Sequence, residues 1–69
     1  MDASRISRML EAKARVEEAL TGAGVNVDGN VREAIGWRMS ALVERVGMSS
    51  VEAADRIIAD YLEHHKRAA

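Results

Sequence analysis

The sequence predicts an all-α protein of three helices that forms one small domain over residues 1–69. Three observations favour this fold class. The chain contains no proline, the residue that interrupts helices most strongly. Apolar residues make up 48% of the sequence and recur every three or four positions, as they do along one face of an α-helix. Glycines followed by capping residues divide these periodic stretches into three.

The first helix is predicted over about residues 4–20, with Asp2 or Ser4 as a possible cap for its first amides. The glycines of TGAG, Gly22 and Gly24, supply the positive-φ conformations that end helices. The apolar residues of this stretch gather on one side at about 100° per residue. They are Ile6, Met9, Leu10, Val16 and Leu20.

Residues 24–30 allow two interpretations. Val25 and Val27 alternate with polar residues, which is typical of a short strand. The surrounding Asn26, Asp28, Gly29 and Asn30 are turn residues. A loop is the preferred interpretation, because so short a strand needs a partner. As a strand, the segment would form a short intermolecular β-ribbon ahead of the second helix.

The second helix is predicted to begin at Asn30 as N-cap, with Glu33 completing a capping box, and to end at Gly47. Its apolar stripe consists of Val31, Ile35, Met39, Leu42 and Val46. Gly36 would be tolerated if a neighbouring backbone comes close or the helix bends.

Trp37 lies nearly opposite that stripe, between Ala34 and Ala41. This second apolar face predicts an oligomer or partner interface, the alternative being that the first helix or a loop covers Trp37. The third helix is predicted from Ser49 as N-cap, with Glu52 at the third helical position. Its broad apolar face adds further predicted interface residues, which are Ile57, Ile58, Tyr61 and Leu62.

Chain length and composition predict a homodimer. A chain of this size buries a small core, and its lack of cysteine excludes stabilisation by disulfides or thiolate metal sites. No continuous apolar run suits a signal peptide or a membrane span, so a cytoplasmic protein without membrane contact is expected.

The sequence predicts no enzymatic activity, no metal site and no cofactor. The only histidines are the adjacent His64 and His65, whose side chains point about 100° apart on a helix. Asp60 and His64 share a face, but a solvated helix end is the preferred interpretation. The TGAG stretch lacks the lysine of a phosphate-binding loop.

The segment MSALVERVGMSSVEAADRIIADYL, residues 39–62, resembles the helical half of ribbon-helix-helix proteins. In that family a leucine-rich helix, a Gly-x-Ser/Thr turn and a helix ending in an apolar pair followed by Tyr-Leu succeed one another. Gly47 and Ser49 match the turn, while Ile57, Ile58, Tyr61 and Leu62 match the second helix. The N-terminal helix is additional to the family pattern.

The resemblance implies a dimeric repressor or antitoxin whose paired strands enter the major groove of double-stranded DNA. It also implies that the start of the last helix, at Ser49 and Ser50, holds a phosphate. Asn26 could then read adenine, with Arg32 as the nearest cation. The arginines on one side of the first helix could follow a phosphate backbone, but acidic residues elsewhere on the helix make an ordinary mixed-charge surface the preferred interpretation. These arginines are Arg5, Arg8 and Arg15.

Two functions therefore remain open from the sequence. One is a small DNA-binding transcriptional regulator or antitoxin that acts as a dimer. The other is a helical protein–protein interaction module that docks on a protein partner through the Trp37 face.

Overall fold

The computed structural model describes residues 3–68 and is built from three α-helices joined by short loops. Helix α1 spans Ala3–Gly22, α2 spans Gly29–Ala41 and α3 spans Ser50–Ala68. Helix α2 continues directly into a π-helical turn over Leu42–Val46. The prediction of an all-α fold is confirmed, whereas Asp2, a predicted cap, lies outside the described residues.

One hydrophobic core lies between the three helices. Its fully buried large side chains come from all of them, and alanines of α3 allow the neighbouring helices to approach closely. The core residues are Ala12, Val16, Leu20, Ile35, Met39, Ala53, Ala54 and Ile57. Val16 and Leu20 of the α1 stripe, and Ile35 and Met39 of the α2 stripe, thus face inward as predicted.

One residue that was predicted to lie at an interface belongs to the core instead. Ile57 has 0% of its surface exposed, so the fold leaves it no area for a partner, and the earlier assignment is corrected. Ile58, Tyr61 and Leu62 are half-buried and pack against the core while keeping part of their surface accessible.

Within residues 3–68 no strand forms, and the preferred loop interpretation of the segment before α2 holds in this single chain. Gly24 follows α1 at φ +87°, the left-handed conformation predicted for it, whereas Gly22, for which the same was predicted, is the last residue of α1 and has no positive φ. Val25 and Val27 then pack against the core, and Asn26 between them is exposed. An extended segment this short has no neighbouring strand to bond with in the monomer.

Helix α2 begins earlier than predicted, because Asp28 and not Asn30 is its N-cap. The Asp28 side chain accepts a hydrogen bond from the Val31 amide at 2.9 Å. A carboxylate at this position also interacts favourably with the positive end of the helix dipole. Asn30 consequently lies inside the first turn.

The end of α2 is wider than an ordinary helix. The Leu42 carbonyl accepts from the amides of Gly47 and Met48, and Gly47 adopts φ 86° as predicted. The π-helical turn alters the angular position of the residues that follow. Val46, predicted to lie on the core stripe, is therefore 63% exposed.

Helix α3 begins as the sequence predicts. Ser49 Oγ accepts a hydrogen bond from the Glu52 amide at 3.1 Å, which is the serine half of a capping box. The cap fixes the direction in which the chain leaves Gly47 and enters α3.

Candidate interaction surface

Trp37 is the most exposed large apolar side chain of the described residues, with 73% of its surface accessible. It projects from α2 on the side opposite Ile35 and Met39, which are buried. Ala34 is also exposed and Ala41 is half-buried. Neither α1 nor a loop covers Trp37, so the side chain is available for contact with another molecule.

A shallow concavity lies next to Trp37 between α1 and α2. Lys13 crosses from α1 towards Gly36, and a Cβ atom placed on Gly36 would lie 3.6 Å from the Lys13 Nζ. The neighbour of this mid-helix glycine is therefore a flexible side chain, whereas the sequence suggested a close backbone or a bend. The concavity is lined by Lys13, Glu33, Gly36, Trp37 and Ser40.

A second, more apolar concavity follows one turn further along the same two helices. Ile6 is 45% and Leu10 is 62% exposed there, although both were predicted to lie on the core stripe of α1. Its lining residues are Arg5, Ile6, Met9, Leu10, Val43 and Glu44. We refer to the two concavities together as the α1–α2 seam. The residues of this seam come from α1 on one side and from α2 and the π-helical turn on the other.

Charge is divided between the two sides of the α1–α2 seam. The α1 side contributes the cations Arg5 and Lys13, and the opposite side contributes the anions Glu33 and Glu44. None of these four side chains forms an ion pair with another residue in the described range 3–68. The sequence alone does not predict this division of charge, because it depends on which turns of two separate helices meet.

The structure separates the residues predicted to bind DNA into two groups at opposite ends of α2. Asn26 and Arg32 lie near the beginning of α2, whereas Ser49 and Ser50 follow its end. The helical segment between them spans roughly 27 Å at 1.5 Å per residue. Arg32 is exposed but pairs with Glu17 at 3.3 Å. The Ser49 hydroxyl is engaged in the cap of α3, and Ser50 is half-buried.

Two arginines of α1 lie close to the start of α3. Arg8 and Arg15 line a concavity together with Ser50 and Val51, and Glu11 contributes a carboxylate to it. Arg15 also lies 3.5 Å from Asp55 in an exposed ion pair. The seven-residue spacing of the two arginines, which places them on one side of α1, was the signal in the sequence.

The Asp60 carboxylate forms ion pairs with two arginines. Arg38 of α2 donates to the Asp60 carboxylate, and Arg56 lies 3.7 Å from it. His64 and Tyr61 line the same surface, on the α3 side of α2 and away from the α1–α2 seam. Among the described residues there is no group of three or more histidine, cysteine or acidic side chains arranged to hold a metal ion.

None of the helices, as far as residues 3–68 describe them, has the length and apolar character needed to cross a bilayer. Comparison of the chain with models of known protein families, with curated proteins and with solved structures finds no match.

Proposed function

We propose that this chain is a helical protein-interaction module that docks on another protein through Trp37 and the adjoining α1–α2 seam. The observation that supports the proposal is the 73% exposure of Trp37 on a helix whose opposite face is already buried. Tryptophan is enriched among the residues that dominate binding energy at protein interfaces.

The exposed area of Trp37 is large enough to contribute substantially to the free energy of binding. Covering the exposed part of a tryptophan removes on the order of 150–200 Å² from water, equivalent to about 4 kcal/mol before the costs of association. Leu10 and Ile6 add further exposed apolar area along the same seam. The four charged side chains around them, which form no ion pair within residues 3–68, supply the polar rim that protein interfaces commonly have.

Site-specific photo-crosslinking tests this function. A photoreactive residue replaces Trp37 in the full chain, and a matched control carries it at the exposed Ala59 of α3. We expect a discrete crosslinked protein product from position 37 alone after irradiation in cells of the source organism. No product from position 37, or identical products from both positions, would overturn the proposal.

A second candidate function is a dimeric DNA-binding regulator or antitoxin of the ribbon-helix-helix type. Arg8 and Arg15 beside the start of α3 support it, since guanidinium groups and the first amides of a helix both favour a phosphate. Residues 25–28 would then form the intermolecular ribbon, with Asn26 directed outward. This function ranks second because Glu11 and Asp55 lie among these cations and the net charge is −1.

A DNA titration over a salt series tests the second function. Binding to the flanking genomic DNA should weaken steeply with salt, and Arg8→Ala should lower the logarithmic salt slope by about one. Arg67→Ala, at the far end of α3, is the matched control and should leave the slope unchanged. Absence of binding at low salt would exclude this function. The cytoplasmic location expected for either function stays a prediction.

A further inference from the structure

We infer that the partner seated on the α1–α2 seam is a second copy of this chain, related to the first by a two-fold axis that runs along the seam. The inference rests on the proposed function, because it presupposes that the seam docks a protein. It specifies which protein is bound and how the two chains are oriented.

The division of charge makes the seam complementary to itself. Each concavity combines one cation from α1 with one anion from the opposite side: Lys13 with Glu33 in the first, and Arg5 with Glu44 in the second. Within residues 3–68 these groups form no ion pair with one another or with any other side chain, so they can pair with a partner. The net charge of −1 adds little repulsion between two copies.

Two-fold symmetry selects the orientation. An axis along the seam places the α1 side of each copy against the α2 side of the other, so opposite charges meet at the same level. An axis across the seam would place α1 against α1 and bring like charges together. With the axis along the seam, Arg5 of each copy faces Glu44 of the other.

The same orientation gives Trp37 a specific contact. Trp37 and Lys13 lie at one level of the seam, on opposite sides. The axis therefore brings Trp37 of each copy over Lys13 of the other, where the aliphatic stem covers the ring and the ammonium group interacts with its face. Leu10 and Val43, from opposite sides of the second concavity, meet in the same way.

The exposed area agrees with one such interface. The chain has a mass of 7.5 kDa and exposes 4987 Å². A folded monomer of that mass exposes about 4250 Å², so the surplus is about 740 Å². Each partner of a standard protein interface covers about 800 Å². Burial of the seam against a second copy would bring the exposed area close to the ordinary value.

Charge reversal combined with sedimentation equilibrium tests the inference. We expect the unaltered chain to dimerise, and both Arg5→Glu and Glu44→Arg to raise the dimer dissociation constant at least tenfold. The double variant Arg5→Glu/Glu44→Arg should recover the original constant. An equimolar mixture of the two single variants should form a heterodimer, because one then carries only anions and the other only cations in the second concavity. Lys66→Glu, on the exposed end of α3, is the control and should leave the constant unchanged.

Three results would overturn the inference. The first is an unaltered chain that stays monomeric up to about 1 mM, where association would be worth only about 4 kcal/mol. The second is a pair of charge reversals that change the dimer dissociation constant no more than Lys66→Glu does. The third is a mixture of the single variants that stays monomeric. Crosslinking from position 37 to a different protein, with a monomeric chain, would remove the second copy but retain the interaction module. Absence of every crosslink from position 37 would remove the proposed function itself.

Discussion

Replacing Ile57 with alanine tests whether this residue belongs to the core of the chain or to a surface between chains. Ile57 is fully buried, and the substitution removes three carbon atoms. At about 0.8 kcal/mol per buried methylene the transfer loss is about 2.4 kcal/mol, and the cavity that remains raises the total to about 3–4 kcal/mol. A domain of this length has a total stability of about 3–10 kcal/mol, so the variant should lose between about a third and all of that stability.

Circular dichroism measures the effect as a thermal or urea transition at one fixed protein concentration. We expect Ile57→Ala to lower the midpoint temperature by about 15–30 °C. Val51→Ala is the matched control in the same helix, because Val51 is 52% exposed and should change the stability by less than about 0.5 kcal/mol. A loss below about 1 kcal/mol for Ile57→Ala, or one equal to that of the control, would refute the assignment of Ile57 to the core.

Two further predictions concern local structure, each measured by urea denaturation. Gly47→Ala should lower the stability by about 1 kcal/mol, because φ is 86° there. Gly36→Ala should raise the stability by up to about 1 kcal/mol, since its new Cβ makes only ordinary contact with Lys13. Equal effects of the two substitutions would contradict the backbone conformations assigned to these glycines. Asp28→Ala should cost about 1 kcal/mol through loss of the cap, and Asn30→Ala less. The reverse order would restore Asn30 as the cap.

The sequence predicts a helix boundary well where one residue alone can supply the conformation or the capping hydrogen bond that the boundary requires. Gly24 and Gly47 occupy left-handed conformations, and Ser49 caps α3, as their positions in the sequence indicate. The beginning of α2 offered two capping residues of nearly equal preference, Asp28 and Asn30. In the structure Asp28 is the N-cap, and Val25 and Val27 just before it pack against the core. No local sequence pattern predicts that packing.

The candidate site was predicted in part. The angular position of Trp37 indicated an outward side chain, and the structure places it there. The exposure of Ile6 and Leu10 was not predicted, because a helix with enough apolar residues for two faces does not reveal which of them the fold will cover. The π-helical turn, which contributes Val43 and Glu44 to the seam, has no marker in the sequence.

The orientation of the helices also explains why the predicted DNA-binding residues do not form one surface. Asn26 and Ser50 are separated by the length of α2, and a single chain cannot bring them to one phosphate group. A DNA-binding form of this protein would need the second copy to supply the missing half of the contact surface. The DNA-binding function therefore depends on whether two chains associate, whereas the interaction module does not.

Trp37 fluorescence tests most directly the claim that the Trp37 face is a docking surface. Trp37 is the only tryptophan of the chain, so the emission reports that face alone. We predict emission typical of a solvent-exposed indole, readily quenched by acrylamide, at low protein concentration. As the concentration rises, the emission should shift to shorter wavelength and become protected from acrylamide, and Arg5→Glu should delay this change. Emission and quenching that stay constant across the whole range, with the chain shown by sedimentation to associate, would contradict the account.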